Sequence, residues 1–326
     1  TVVSLVAPVQ AGERPSVTLV EMLPGMPIAF TVEPLGLLFA LVASGLWIVN
    51  SLYSIGYMRG NAEKHQTRFY VCFAGAIAAT MGVAFAANGL TLFLFYEMLT
   101  LVTYPLVTHH GTEEAKRGGR VYLGVLLSTS IMFFLVGLVP DLAAARDRVR
   151  DWRRHLYRVA ALGWRGSSEQ WRHWWRAVLH LSGLATPLVL SVHSVVSGGI
   201  LAGRLGNAAI GGLLALYMFG IGKAALMPFH RWLPAAMVAP TPVSALLHAV
   251  AVVKAGVFTV VKVIVYVFGL DSIRGLASVD WLPTVAAFTI VAASIVALRS
   301  DNLKRRLAYS TVSQLSYVVL AASLLA

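Results

Sequence analysis

The chain has 326 residues, of which 58% are hydrophobic and only 12% are charged, and its mean hydropathy is +0.74. A soluble domain averages about 45–50% apolar and about 25% charged residues, so this composition argues against a soluble globular protein. The net charge of +12 does not indicate nucleic-acid binding, because the basic residues lie between apolar segments, as they do in cytoplasmic loops of membrane proteins.

The first part of the chain alternates between polar connections and long apolar segments. Residues 1–34 are mixed in polarity and contain the turn signals GERP and LPGMP, which predict a hairpin at the membrane surface. Residues 35–139 then form a predicted unit of four membrane helices, since a helix of about 20 apolar residues crosses a ~30 Å hydrocarbon core. The apolar segments of this unit are 35–57, 69–87, 89–107 and 121–139.

Residues 140–199 differ in character from the rest of the chain. Nine arginines and five of the eight tryptophans fall within this segment, which ends in an apolar patch at 181–199. We predict that it is a foreign insert that does not cross the membrane.

The membrane pattern resumes in residues 200–326. One apolar segment, 206–239, is interrupted by prolines, and three more follow at 243–268, 281–298 and 307–326. The predicted fold is therefore an all-α bundle of about eight transmembrane helices, one of them discontinuous. Because the last segment is still apolar at Ala326, we expect the chain to be a fragment of a longer protein.

The basic loops predict the orientation of the helices. Loops 58–68, 109–120 and 299–306 are rich in lysine and arginine, which favours the cytoplasmic side for all three. If each apolar segment crosses the membrane once, the three loops lie on the same side only if residues 140–199 do not cross the membrane. The nine arginines of that segment then lie on the outer side, against the rule, so neither placement suits it.

One carboxylate, Glu97, lies near the middle of the apolar segment 89–107. A charge at the bilayer centre costs about 2.5–3.5 kcal/mol on insertion scales, so such a residue is by default a functional candidate. Lys223, His248 and Lys254 occupy similar apolar surroundings, and together the four predict a proton relay. A nearby carboxylate favours the charged form of a lysine, and burial favours the neutral form. Moving the carboxylate or another charge would therefore change the pKa of the lysine and could make it take up or release a proton.

Each candidate also has a plainer interpretation. Lys223 or Lys254 could serve as a structural counter-ion to Glu97, and His248 could be a hydrogen-bonded core histidine. His248 and Lys254 are six residues apart, which offsets them by about 120° on a regular helix, so they need not share a face. Lys262, a secondary candidate, would more simply extend to the membrane interface.

Prolines mark the predicted break in the helix that carries Lys223. Pro228 removes a backbone donor and is expected to interrupt helical hydrogen bonding after Lys223, and Pro234 follows within two turns. Broken helices at membrane depth are tolerated where they line a cavity, although an ordinary kinked helix would show the same pattern. His230, between the two prolines, is a further secondary candidate.

Several kinds of site are not indicated by the sequence. We find no P-loop, no GxGxxG after a strand, no HExxH and no CxxC, and the single Cys72 cannot form an internal disulfide. The HHGTEE loop at 109–114 reads more simply as a solvated helix end than as a metal site. We therefore expect neither a metal nor a bound cofactor.

Three stretches resemble a known family: FLFYEMLTLVTYPLV, GKAALMPFHRWLPAAMVAPTPVSALLHAVAVVKAGVF and DNLKRRLAYSTVSQLSYVVLA. They resemble the antiporter-like proton-translocating membrane subunits, which include the MrpD-type subunits of monovalent cation/proton antiporters and related subunits of respiratory complex I. The resemblance covers 31–139 and 200–326 and is nearest to the MrpD-type branch, because both His248 and Lys254 are present. The LSGLATPLVLSVHSVVS stretch within the insert instead resembles NrfD/polysulfide-reductase-type quinone-interacting subunits.

The family resemblance implies a partial copy of a fold of about fourteen helices, built from two inverted repeats that each contain a discontinuous helix. It implies that Glu97 is the acid of the fifth helix, Lys223 the lysine of the broken seventh helix, and His248 with Lys254 the eighth-helix relay. The charged residue of the second broken helix is not in this chain, so a complete translocation path is not expected. The implied partners are other subunits, the lipid bilayer, protons and Na⁺ or K⁺.

Three functions follow as hypotheses. The first is a proton-translocating subunit of a multisubunit cation/proton antiporter in a bacterial inner membrane. The second is a proton-pumping membrane subunit of an NADH:quinone oxidoreductase or a related hydrogenase, with the same fold but a redox driver. The third, a quinone-interacting NrfD-like subunit, depends only on the insert. Whether the complex is an enzyme depends on which hypothesis is correct.

Overall fold

The computed structural model describes residues 2–23, 26–142, 207–273 and 276–325. Within these residues, seven helices are long and apolar enough to cross a membrane, and an eighth, shorter apolar helix is followed by a break. The prediction of an all-α multi-pass membrane bundle with one discontinuous helix is confirmed.

The N-terminal segment forms a two-stranded antiparallel hairpin, with β1 at Ser16–Leu23 and β2 at Met26–Thr31. A short helical stretch, Val2–Leu5 and Val6–Gln10, precedes it. The hairpin is fixed to the bundle because the Asn88 side-chain amide donates to the carbonyl of Pro27 at 2.7 Å. The amide of Ala87 also donates to the carbonyl of Ala29 at 3.0 Å.

Four helices follow the hairpin: α1 at Pro34–Gly60, α2 at Gln66–Phe85, α3 at Gly89–Val107 and α4, which begins at Glu113. A proline in the first turn of α1 suits a helix start, since its missing amide would be unpaired there anyway. The Asn88 and Thr112 side chains cap α3 and α4 by accepting backbone N–H bonds at 2.8 Å and 3.1 Å. Helix α4 continues through a π turn, Ser130–Phe134, to Leu142.

The second described part contains α5 at Asn207–Gly220, α6 at Thr241–Phe268, α7 at Trp281–Leu298 and α8 at Leu303–Leu325. Short turns at Gly222–Ala224, Trp232–Ala235 and Ala236–Val238 connect α5 to α6. Helix α6 itself contains two π turns, Leu246–Val250 and Val263–Phe268. The predictions for 140–199 beyond Leu142 lie outside the described residues.

Contacts between distant segments place the three basic loops at one end of the bundle. A methyl group at Gly118, which lies in α4 within the basic segment 109–120, would be 2.6 Å from the carbonyl oxygen of Ala235. The Lys304 ammonium, in the first turn of α8 within the basic segment 299–306, donates to the carbonyl of Ala239 at 2.7 Å. Arg68, of the basic segment 58–68, donates to the carbonyl of His109 at 3.3 Å. We call this the basic end, and the opposite end, where β1 and β2 pack, the hairpin end. The common side predicted for the basic loops agrees with these contacts.

Candidate functional site

The break after α5 contains Lys223 itself. Helix α5 ends at Gly220, and Lys223 lies on the single 3₁₀ turn Gly222–Ala224. Ala225 then adopts a left-handed conformation with φ of 56°, which is uncommon for a residue with a Cβ. The expectation that Pro228 breaks the helix after Lys223 is therefore wrong in position, because the regular helix has already ended three residues before the lysine.

Tyr96 of α3 explains why the helix can end there. Its hydroxyl accepts the backbone N–H of Lys223 at 3.0 Å, which replaces the carbonyl that a continuing helix would have offered. The Trp232 indole in turn donates to the carbonyl of Gly222 at 2.9 Å. Two aromatic side chains thus satisfy backbone groups that the break leaves unpaired.

The Lys223 side chain is fully buried, with 0% exposure. Its ammonium donates to the backbone carbonyl of Tyr96 at 2.7 Å and lies 3.2 Å from the centre of the Tyr96 ring. A cation over an aromatic face is stabilised by the ring quadrupole, more strongly where water is excluded. One residue of α3 therefore contacts both the backbone and the ammonium of Lys223.

Glu97 adjoins Tyr96 and supplies the negative charge of the site. Both carboxylate oxygens are buried, and neither has a hydrogen-bond partner among the described residues. The carbonyl of Tyr96, the residue before Glu97, accepts the Lys223 ammonium at 2.7 Å. The structure therefore brings Glu97 and Lys223 into the same region without a direct ion pair, and it leaves the carboxylate able to bind a proton or a water molecule.

The surroundings of this pair are close-packed. The Tyr122 hydroxyl hydrogen-bonds to the Thr103 hydroxyl at 2.6 Å, and the Tyr122 ring meets that of Trp232 edge-on at 5.5 Å. A methyl group at Gly256 of α6 would collide with the backbone of Lys223 and Ala224. The break is therefore held between α3, α4 and α6.

The structure does not bring His248 and Lys254 into contact with Lys223. His248 lies in the π turn Leu246–Val250 of α6, where its Nδ1 meets the Thr311 hydroxyl at 3.0 Å and its Nε2 meets the Met237 sulfur at 3.1 Å. Lys254 is exposed on the surface of the described part. His248 is thus half-buried between two helices and the connection before α6, whereas Lys254 is exposed, so the two side chains have different surroundings.

Lys262, for which the simpler interpretation was an extension to the membrane interface, is buried at the hairpin end, between the start of α1 and the end of α2. Its ammonium donates to the carbonyl of Ala86 at 2.7 Å and lies 3.4 Å from a carboxylate oxygen of Glu33. The side chains are only 5% and 2% exposed. The carboxylate and the carbonyl supply the partners that a buried ammonium requires.

His230 occupies the connection between the two prolines, near the basic end. Its ring packs at 5.8 Å from that of Tyr309, and its buried Nδ1 lacks a hydrogen-bond partner within the described part of the chain. Pro234 lies in the short helix Trp232–Ala235. These residues border the break but do not contact the Lys223 ammonium.

At the basic end, His109 and His110 both approach Glu63, at 3.9 Å and 3.8 Å. Burial, reinforced by the positive charge of Arg68, lowers the pKa of His109 below its usual value, while Glu63 opposes this effect. Burial thus favours the neutral form of His109, which directly follows the end of α3 at Val107–Thr108.

Two residues of the candidate site were missed by reasoning from the sequence. Tyr96 gave no signal, because a tyrosine in an apolar segment is most often a packing residue. Glu33 did give one, since it is the only acid between Glu21 and Glu63, and it immediately precedes an apolar helix. Because residues 1–34 were assigned to the membrane surface, Glu33 was not considered as a buried charge.

The matches to known proteins all fall among NADH:quinone oxidoreductase and antiporter membrane subunits or respiratory membrane complexes. Residues 177–325 match the family described as "NADH:quinone oxidoreductase/Mrp antiporter, TM". A relative at 28% identity is NAD(P)H-quinone oxidoreductase subunit 5 of Paulinella chromatophora, aligned over 91% of this chain and 38% of its own length. A second, at 26% identity, is the putative antiporter subunit mnhA2 of Staphylococcus haemolyticus, aligned over 91% of this chain and 32% of its own.

Two solved structures share the fold. The Mrp complex from Dietzia matches with a TM-score of 0.71 at 22% identity, over 99% of this chain and 30% of that one. The membrane-bound sulfane sulfur reductase, an archaeal respiratory complex, matches with a TM-score of 0.66 at 22% identity, over 91% of this chain and 51% of that one. The chain thus spans about a third of the length of the curated relatives it matches. The family match includes 177–199, so the NrfD-type resemblance of that stretch stays a prediction.

Proposed function

We propose that the chain is a proton-translocating subunit of a multisubunit monovalent cation/proton antiporter, because residues 177–325 match the NADH:quinone oxidoreductase/Mrp antiporter transmembrane family. The observation that carries the proposal is the Glu97–Lys223 site. A buried carboxylate without a hydrogen-bond partner within the described residues lies beside a fully buried lysine in a broken helix. Ionisable groups at membrane depth are characteristic of proton relays.

The geometry supports a mechanism in which the charge of Glu97 controls the proton on Lys223. When Glu97 is ionised, the lysine ammonium is favoured, and the Tyr96 carbonyl and ring hold it in place. When Glu97 binds a proton, this attraction is lost and burial favours the neutral amine, so Lys223 releases its proton. The carboxyl proton of Glu97 then passes to the neutral amine, which restores the starting state, so each cycle takes up one proton at the carboxylate and passes one on from the amine.

His248 and Lys254 would act beyond this site on α6. The hydrogen bond of His248 to Thr311 and its position in a π turn suit a group that accepts and donates protons, since π turns often occur at functional sites. Lys254 faces away from the described residues, where another part of the complex would have to supply its partner. We propose other antiporter subunits as the partners, Na⁺ or K⁺ as the exchanged cation, and a bacterial inner membrane as the location.

The test is cation-dependent proton flux in vesicles that contain the intact complex. Glu97→Ala and Lys223→Ala should each lower the flux at least about tenfold, because each removes one of the two groups that exchange the proton. Glu114→Ala and Lys64→Ala, which change exposed residues of the same types, serve as matched controls. Wild-type flux in both site variants, with normal assembly, would refute the proposal.

A second candidate function is a proton-pumping membrane subunit of an NADH:quinone oxidoreductase. It is favoured by the relative at 28% identity, whose name is that of such a subunit. The same Glu97–Lys223 site would then respond to quinone reduction elsewhere in the complex. Purification of the native complex separates the two, since iron–sulfur subunits would accompany the chain in the redox case and only antiporter subunits in the other.

A further inference from the structure

A second buried pair of opposite charges lies at the hairpin end, in Glu33 and Lys262. Glu33 immediately precedes α1 and Lys262 belongs to the last turns of α6, so the pair joins two helices distant in sequence. The charged atoms are 3.4 Å apart, and the ammonium is also bonded to the carbonyl of Ala86 at 2.7 Å. Neither residue belongs to the Glu97–Lys223 site.

Stability alone does not account for such a pair. Removing two charges from water costs several kcal/mol per ion, and replacing a buried ion pair by neutral groups of similar volume is often neutral or stabilising. Removing only one partner is strongly destabilising, because it leaves an uncompensated charge. A pair retained for folding should therefore be replaceable as a pair, whereas a pair that exchanges protons should not.

The surroundings connect the pair to the aqueous side. The amide of Val32, the residue before Glu33, donates to the carbonyl of Pro15 at 2.9 Å. Arg14, the residue before Pro15, is exposed in the segment just before β1. The backbone next to the buried carboxylate is therefore in contact with an exposed segment at the hairpin end, while Lys262 and, one turn further along α6, Tyr266 are the ionisable residues that α6 contributes to this region.

The pair is also coupled to the position of the hairpin. Lys262 bonds to the carbonyl of Ala86, and the next residue, Ala87, donates to the carbonyl of Ala29 in β2. From this connection α3 leads towards Glu97, which lies eight residues, or about 12 Å, beyond the helix start at Gly89. The pair therefore lies at the hairpin end of the bundle, on the side opposite to the basic loops.

We propose that Glu33 and Lys262 form a proton-exchange site at the hairpin end, through which protons pass between the aqueous phase and the interior of the bundle. The inference rests on the proposed function and adds a second proton-exchange site to the path. Glu33 takes up one proton from the aqueous side, which removes the negative charge 3.4 Å from the Lys262 ammonium, and the buried lysine then gives up a proton towards the interior of the bundle. Transfer of the carboxyl proton to the neutral amine re-forms the ion pair, so one proton enters and one proton leaves in each cycle.

The experiment compares single and paired neutral variants in the intact complex, in vesicles. We expect Glu33→Gln and Lys262→Met singly to lower the yield of assembled complex or its thermal unfolding temperature. The double variant E33Q/K262M should restore assembly, because no unpaired charge remains, yet keep cation-dependent proton flux at least about tenfold below wild type. Glu33→Asp, which retains a titratable carboxylate, should keep most of the flux.

The matched control is the exposed pair Glu113 and Lys116, whose charged atoms are 2.7 Å apart at the basic end. Its double neutral variant, E113Q/K116M, should have wild-type flux. Wild-type flux in E33Q/K262M would overturn the inference, and so would failure of E33Q/K262M to assemble while Glu33→Asp assembles normally, because the charges would then serve folding. Loss of flux in Glu97→Ala in the same series shows that the proposed function stands independently of this outcome.

Discussion

The carboxylate of Glu97 belongs to the residue after Tyr96 and makes no hydrogen bond to the ammonium of Lys223. Tyr96 supplies the contacts that hold the lysine: its carbonyl and ring contact the ammonium, and its hydroxyl accepts the backbone N–H of Lys223. The lysine is therefore fixed in position by neutral groups, and the carboxylate influences it only through its charge. The proposed mechanism therefore requires no change in the position of the lysine when it releases its proton.

The hydroxyl of Tyr96 should be needed for both stability and flux. Tyr96→Phe keeps the ring and the carbonyl but leaves the buried N–H of Lys223 without an acceptor, which should cost about 1–3 kcal/mol. We expect a lower thermal unfolding temperature of the detergent-solubilised protein and a reduced proton flux. Tyr104→Phe, in the same helix, is the matched control, because its hydroxyl bonds to none of the described residues. Equal effects of the two substitutions would contradict the role assigned to Tyr96.

Among the helices, the break after α5 depends on close approach by its neighbours. Gly220 touches the backbone of Phe134 in α4, and Gly256 allows α6 to pass against the backbone of Lys223. Glycine is required at such contacts because a side chain would meet backbone atoms, which cannot yield as a flexible side chain can. The position of Lys223 is therefore determined by the packing of three helices around a non-helical turn.

The contact between α6 and the break can be tested at Gly256. Gly256→Ala should force α6 away from the break and cost about 1–3 kcal/mol or more, with loss of proton flux as Lys223 is displaced. Gly212→Ala in α5 adds the same methyl group where no atom lies within 4 Å, and should be neutral or stabilising by up to about 1 kcal/mol. Thermal unfolding and flux of the two variants, measured side by side, would show no difference if the close contact were unimportant.

Across the whole molecule, the two ends of the bundle differ in charge and structure. The basic end carries the three lysine- and arginine-rich loops, and the hairpin end carries β1 and β2 with the Glu33–Lys262 pair between α1 and α6. The Glu97–Lys223 site lies between these ends. The molecule thus has ionisable groups at successive depths, and the positive-inside rule assigns the basic end to the cytoplasm.

This asymmetry predicts the orientation of the protein in the membrane. In a background lacking the single cysteine (Cys72→Ser), cysteines introduced as K64C and D301C should react with a membrane-impermeant maleimide only from the cytoplasmic side. E13C, in the exposed segment before β1, should react only from the opposite side. Labelling of E13C and K64C from the same side would contradict the arrangement of the two ends.

The class of the protein and the approximate positions of its helices could be predicted from the sequence. Long uncharged segments must form helices in a membrane, because lipid offers no partner to backbone groups, so composition and spacing were sufficient. The isolated charges within those segments identified Glu97 and Lys223 as candidates for the same reason, since burying a charge is costly wherever the helix lies. The family resemblance agreed with both conclusions.

Which of these charges meet could be learned only from the packing of the helices. The structure paired Lys262 with Glu33, directed Lys254 outward, placed Lys223 within the break, and assigned to Tyr96 the contacts that hold the lysine. Residues 33 and 262, like residues 96 and 223, are distant in sequence and come together through helix packing, and hydropathy along the chain contains no information on such contacts. The cost of an intramembrane charge can be read locally, whereas the partner that offsets it depends on the fold.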